Sequence, residues 1–197
     1  MEFRAVVRRR KMIRNFSNGA IDREVVSRIL ETGHRGPSAG FSQGYAFLTF
    51  DGPEETARFW DAAFPGGEDS RMPGLRNAPL IVVPLASKKV YLDRYAEPDK
   101  GWADRNETRW PAPYWTIDTS FAAMLMLLAA VDEGLGALFF GLFPPEHGPV
   151  FLRSFGVPEE YEAIGAVAIG HPAPDHVQSS ARRGRKPLDE MVHRGRW

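Results

Sequence analysis

The chain has 197 residues, 25 Lys+Arg against 25 Asp+Glu, no cysteine and a hydrophobic share of 43%. That length suits one domain over residues 1–197 with a real core. The missing cysteines exclude a disulfide scaffold, a thiolate zinc site, an iron–sulfur cluster and a cysteine nucleophile. A net charge of zero argues against a nucleic-acid partner, whose phosphates usually select a basic excess. The start, MEFRAVVRRR, carries no apolar signal-peptide stretch, and the longest apolar run, Phe121 to Val131, is too short to span a bilayer. A cytoplasmic protein with no membrane partner is the expectation.

In chain order, a short helix is predicted over Glu2–Arg10, with Phe3, Val6 and Val7 at helical spacing and Arg10 continuing their stripe. A second helix spans Arg23–Thr32, with Asp22 as N-cap, Val25, Val26, Ile29 and Leu30 as its buried face, and Gly33 as its stop. The loop GPSAGFSQG leads into a strand at Tyr45–Phe50, and Glu54–Ala63 reads as a helix. Pro79–Ala86 is a continuous apolar, β-branched run, the pattern of a strand buried on both faces. Glu97–Pro113, rich in charge, proline and tryptophan, reads as an irregular, lid-like excursion. Thr116–Glu133 is apolar nearly all round, which predicts a helix buried on most sides and capped by Gly134. Strands follow at Ala137–Leu142 and Ala163–Gly170 with a helix around Pro145–Phe155 between them, and the tail holds one turn at Leu188–Val192. Helices and strands around a few apolar strands give an α/β or α+β layered class.

Several familiar motifs fall short. Gly40-Phe41-Ser42-Gln43-Gly44 matches the hydrolase elbow G-x-S-x-G, with His171 or His176 as conceivable bases. That chemistry needs strand–turn–helix, whereas here a helix precedes and a strand follows, so a serine hydrolase using Ser42 is a distant alternative. Gly134-Leu135-Gly136 lacks the third glycine of a dinucleotide loop. The five histidines, at 34, 147, 171, 176 and 193, form no ligand spacing, so no metal is expected.

Two basic clusters remain, Arg8-Arg9-Arg10-Lys11 with Arg14, and Arg182-Arg183-Gly184-Arg185-Lys186. Most such runs are solvated faces. Arg10, however, lies on an apolar stripe, and a cation aimed inward needs an anion; arginine suits phosphate. A phosphorylated ligand follows. Phe41, Trp102, Trp110, Tyr114 and Trp115 crowd the loops, and several loop tryptophans need a surface, a subunit or a flat ligand to cover.

These residues resemble the FMN-dependent nitroreductase family. Arg10-Lys11-Met12-Ile13-Arg14-Asn15-Phe16 is similar to its R-[RH]-S-x-[RK]-x-F stretch, and Pro37-Ser38-Ala39-Gly40-Phe41-Ser42-Gln43 to its P-S-x-x-N-S-Q-P-W loop. Gly134–Gly141 resembles the strand beside the flavin, and Arg183-Gly184-Arg185-Lys186-Pro187 the closing [KR]-x-R-x-P segment. The four matches come in the family's order across nearly the whole chain.

The resemblance implies an α+β, α/β/α layered fold with a central, mostly antiparallel sheet, forming an intertwined homodimer. It implies FMN as cofactor and NADH or NADPH as electron donor. A nitroaromatic, quinone or other conjugated electrophile would be the small-molecule acceptor, reduced in a two-step hydride relay. Arg10, Lys11, Arg183 and Arg185 would hold the phosphate, and Arg14 would approach the pyrimidine edge of the flavin. Pro37, Ser38, Ala39 and Phe41 would close over the ring from the other subunit, and main-chain groups of Phe140 and Gly141 would lie near flavin N5. Trp102 and Trp110 are candidate walls of the substrate pocket. No side chain need act as acid or base, because the chemistry belongs to the cofactor.

Met12 stands where the family has serine, Phe41 where it has asparagine, and Gly44-Tyr45 where it has Pro-Trp. A related flavin-fragmenting branch has a Gly-Phe pair in this loop but an aspartate at the position of Met12, which ranks it below a reductase. A flavin-binding or flavin-storage protein without turnover is the non-enzyme alternative.

Overall fold

The chain is built around the run predicted to be buried on both faces. In the computed structural model, which describes residues 1–65, 73–142, 147–174 and 184–197, Leu80–Ala86 forms strand β2, every residue of it buried. It pairs antiparallel with β1 (Tyr45–Asp51) on one side and with β5 (Ala166–Gly170) on the other. Strand β3 (Gly136–Phe140) closes the far edge against β5, and the two-residue β4 (Glu162–Ala163) extends the pairing of β2. The order is β1-β2-β5-β3, antiparallel at each of these pairings.

Alternation along the strands feeds two cores. Ile81, Val83, Leu85, Ala166 and Ala168 face an aromatic layer of Phe50, Phe59, Trp60 and Phe151 beneath α3 (Pro53–Ala63) and α6 (Gly148–Ser154). Leu80, Val82, Val167 and Ile169 face Val26, Ile29, Met126, Leu127 and Ala130 from α2 (Arg23–His34) and α5 (Tyr114–Asp132). The result is the layered α+β architecture expected.

The differences from the sequence reading have physical causes. Helix α1 runs Phe3–Arg9 with Glu2 as N-cap, and of its apolar stripe only Val6 is buried; Phe3 and Val7 are exposed. Arg10 lies just past the helix end, half-buried. Asp22 caps α2 as predicted, accepting from the Glu24 N–H at 2.9 Å. Gly33, however, does not stop that helix. It is buried inside it, where a Cβ would lie 2.6 Å from Met126 Cε, so the residue serves the close approach of α5.

Helix α4 (Lys88–Ala96) has no counterpart in the sequence reading: it buries only Tyr91, so it carries no apolar periodicity. Its signal was Ser87, whose Oγ accepts from the Val90 N–H. Helix α5, expected over Thr116–Glu133 as a helix buried on most sides, lies on the sheet and on α2 with Gly134 at positive φ just past its end, yet Phe121 and Met124 are exposed. The predicted strand Ala163–Gly170 is interrupted at Ile164 and Gly165, and Pro145 lies outside the described residues.

Candidate active site

The basic stretch Arg10–Arg14 runs along the open edge of β3. Met12 bridges Ala137 in parallel, and the Ile13 N–H donates to the Ala137 carbonyl at 3.0 Å. The chain then leaves the strand, and Phe16 bridges Pro172 beyond the end of β5. Gly136 permits this approach, since a Cβ there would meet Ile13 Cγ1 at 2.7 Å.

This docking fixes three cations beside the start of β3. Arg14 spends one donor on the Met12 carbonyl at 3.3 Å. Among the described residues no carboxylate pairs with Arg10, Lys11 or Arg14, whereas Arg28, Arg94 and Arg109 all have acidic partners. Phe140 ends the same strand, three residues on from Ala137, or about 10 Å at strand rise, with Gly141 just past it. The Phe140 ring stacks on Trp60 at 5.7 Å inside the core, and its main chain pairs with Ala166 of β5. A cavity of about 560 Å³ opens beside Gly141, lined by Leu142, Leu152, Arg153, Tyr161 and Gly165 among others.

The loop Pro37–Gln43 lies at the opposite edge. It is tied to the start of β1, and three interstrand steps, about 14 Å, separate β1 from β3. Within one chain, therefore, this loop and the Arg10–Arg14 stretch occupy opposite edges of the sheet.

The loop is held by a dense set of bonds. The Phe41 N–H donates to the Ser38 carbonyl, and Ser38 Oγ accepts from the Gln43 N–H at 2.9 Å. The Tyr45 hydroxyl donates toward the Gly36 carbonyl at 2.8 Å and the His34 carbonyl at 3.0 Å. Arg94 Nε donates to the Gly40 carbonyl at 3.1 Å, and the Tyr95 ring packs so closely that a Cβ on Gly40 would lie 2.7 Å from it. Beneath lies Asp118 of α5, 4% exposed, whose Oδ2 accepts from the Ala39 N–H at 2.8 Å and from the Tyr91 hydroxyl at 2.7 Å. Burial first, and this hydrogen bond second, push the Tyr91 phenol far above its ordinary range. Tyr45 is also raised, by burial and then by the charge of Asp118.

These bonds sustain strain. Gly40, Phe41 and Gln43 all have left-handed backbones, at φ 61°, 54° and 52°. For a bulky residue such as Phe41 that conformation costs on the order of 1–2 kcal/mol. Its ring is 74% exposed. A large apolar side chain is thus held out into solvent on a backbone that must be restrained to keep it there.

Trp102 and Trp110, candidate pocket walls, lie in the excursion that packs on this loop. Trp110 is ringed by Tyr91, Tyr95, Trp102, Tyr114 and Trp115 at 4.5–6.2 Å. The excursion is therefore pinned to α4 and α5 by a shared aromatic cluster, and the Trp102 N–H donates back to the Tyr95 carbonyl. Ser42 Oγ donates to the Ala39 carbonyl at 2.6 Å beside the β1 start, while His171 follows the far end of β5. The length of the sheet separates the two, so they form no catalytic pair. Arg183 and His176 lie outside the described residues, and Arg185 is exposed in the tail. No cluster of potential metal ligands occurs among the described residues. Sequence reasoning missed Asp118, Tyr91 and Arg94. Asp118 was visible only as the boundary of an apolar run, and the meaning of a lone carboxylate there depends on what packs against it.

A model of the nitroreductase family matches residues 7–171, and the chain belongs to that family. A protein of Archaeoglobus fulgidus carrying the provisional name NADH dehydrogenase/NAD(P)H nitroreductase is 27% identical over 189 residues, covering 95% of this chain and 94% of its own. A Staphylococcus aureus NADPH-dependent oxidoreductase is 24% identical, covering 98% of this chain and 72% of its own. Among solved structures, a Desulfovibrio desulfuricans protein provisionally described as a nitroreductase, in complex with FMN, superposes with a TM-score of 0.73 at 23% identity. That match covers 100% of this chain and 98% of the other, and it establishes the shared fold.

Proposed function

We propose that this protein is an FMN-dependent NAD(P)H oxidoreductase that reduces a nitroaromatic, quinone or other conjugated electrophile, working as a homodimer. The observation that carries the reading is the edge of β3: Arg10, Lys11 and Arg14, without a carboxylate partner among the described residues, at one end, and the main chain of Phe140 and Gly141 about 10 Å along the same strand. That span suits a phosphate-ended, five-carbon chain carrying a flat ring.

Arg10 and Lys11 would take the phosphate, with Arg183 and Arg185 from the second basic cluster. Guanidinium and ammonium donors fit a dianion, and a half-buried arginine such as Arg10 gains more from that pairing than an exposed one. Arg14 would present its charge to the pyrimidine edge, where it favours the anionic reduced state. Pro37, Ser38, Ala39 and Phe41 would come from a second copy, a division that the opposite-edge placement of the two halves supports. FMN, when bound, supplies a ring that accepts hydride from NADH or NADPH and passes it to an electrophile. The protein's share is to position, to set the charge around the ring and to exclude water.

Purified protein should be yellow and release FMN on denaturation. Arg10→Ala should lose most of the flavin while Arg9→Ala, whose side chain is exposed, retains it. A colourless protein that FMN cannot reconstitute, or equal loss in both variants, overturns the reading.

A further inference from the structure

We infer that Asp118 is a positioning residue that sets acceptor specificity by holding Phe41 over the mouth of the site. The role in turnover rests on the flavin reading above, but the holding itself does not. Asp118 is a buried carboxylate near the start of α5, at the edge of its apolar run, where an unpaired charge would be untenable. One oxygen, Oδ2, accepts from two donors on two different elements, the Ala39 N–H of the loop and the Tyr91 hydroxyl of α4.

The Ala39 contact is the informative one. Ala39 opens the 3-10 turn Ala39–Phe41, and the next two residues, Gly40 and Phe41, are the left-handed ones. A backbone in that region relaxes unless its neighbours over-determine it. Arg94 and Tyr95 grip Gly40 from the outer side, and Arg94 is itself held by Asp99 at 2.7 and 2.8 Å. From the protein interior the turn is gripped by Asp118. Helix α5 lies on β2 and β3, so the carboxylate transfers the rigidity of the core to an exposed aromatic ring.

The consequence is selective. Asp118 touches none of Arg10, Lys11, Arg14, Phe140 or Gly141, so its loss should spare the phosphate grip of each chain. It should alter what an exposed Phe41 controls, which is the fit of the acceptor. A charged acceptor for hydrogen bonds is stronger than a neutral one, which explains a buried carboxylate where an amide oxygen would also reach.

The test uses the full-length protein with Asp118→Ala, Asp118→Asn and Tyr91→Phe. Chymotrypsin cleavage after Phe41 reads the loop without any cofactor. Asp118→Ala should be cut at least tenfold faster than wild type, Tyr91→Phe by a smaller factor, and Asp118→Asn, which keeps an oxygen acceptor but loses the charge, at a rate between wild type and Asp118→Ala. With menadione as acceptor, Asp118→Ala should raise KM about fivefold or more while retaining more flavin than Arg10→Ala. Phe41→Ala should raise it too, and the double variant should show no further increase. Unchanged cleavage in both Asp118→Ala and Tyr91→Phe overturns the proposal, as do independently multiplying effects of Asp118→Ala and Phe41→Ala on KM. If Asp118→Ala does not fold, Tyr91→Phe decides alone. A colourless wild type whose cleavage pattern follows the prediction sinks the flavin reading and leaves the holding role of Asp118 standing.

Discussion

Tyr91 and Asp118 share one hydrogen bond, in which the tyrosine supplies the proton. Burial and the neighbouring carboxylate both disfavour the phenolate, so the folded protein keeps this proton well above the range in which a free tyrosine loses it. Between those two values the native state binds more protons than the unfolded state, and stability falls as pH rises. The fall should begin near pH 10, the ordinary phenol value, and Tyr91 should contribute a slope of at most about 1.4 kcal/mol per pH unit. Denaturant titrations of wild type and Tyr91→Phe from pH 7 to 11 measure it. Tyr91→Phe should be less stable at neutral pH by roughly 1 kcal/mol, for the lost hydrogen bond, but should decline less steeply above pH 10. Parallel curves would show that the phenol is not held as described. The residual slope in the variant belongs to groups such as Tyr45, which is raised for the same two reasons.

Elements with strong periodicity could be read from residues alone; those whose role is set by a neighbour could not. β2 announced itself because a strand covered on both faces has no polar positions, and Asp22 marked the start of α2 because its carboxylate caps the next turn. The Arg10–Arg14 stretch and the Pro37–Phe41 loop were legible as candidates, since arginine clusters and glycine-flanked loops carry recognisable chemistry. That they lie on opposite edges of the sheet was not legible, because strand order is a long-range fact. Helix α4 was silent because it buries a single residue. Gly33 was misread for the same kind of reason: a glycine near a helix end looks like a stop until the helix packed against it is known. Its burial under Met126 makes a direct test. Gly33→Val should place branched carbons where Met126 Cε and Cγ now lie, 2.6 and 2.7 Å from the Cβ position. A destabilisation of about 2–3 kcal/mol is expected from overpacking, read as a lower denaturant midpoint with an unchanged slope. A variant as stable as wild type would mean that α2 and α5 can separate freely, contrary to their bidentate Arg28–Glu133 link at 2.7 and 2.9 Å.

At the scale of the whole molecule, the apolar surface left open is concentrated on a few elements. Phe121 and Met124 of α5 and Phe3 and Val7 of α1 are exposed, and so are Leu188, Met191 and Trp197 in a tail that is exposed throughout residues 184–197. Helix α1 packs on α5, so the first four residues belong to neighbouring elements. Exposed apolar surface of this kind marks an interaction site, and a two-fold partner would cover the same residues on both copies. In the proposed homodimer, each site takes its phosphate grip from one chain and its Phe41 loop from the other. Complementation tests this division. Arg10→Ala removes the grip, and Gly40→Val disorganises the loop, because residue 40 needs φ 61° and has the Tyr95 ring 2.7 Å from its Cβ position. Alone, each variant should be nearly inactive with NAD(P)H and menadione. Co-expressed, half the dimers should be mixed, and each mixed dimer should hold one site with both parts intact. Activity should therefore recover to about a quarter of wild type per chain, the statistical share of intact sites in a freely exchanging two-fold dimer. Sites built within single chains would give no recovery at all, since every chain in the mixture carries one defect.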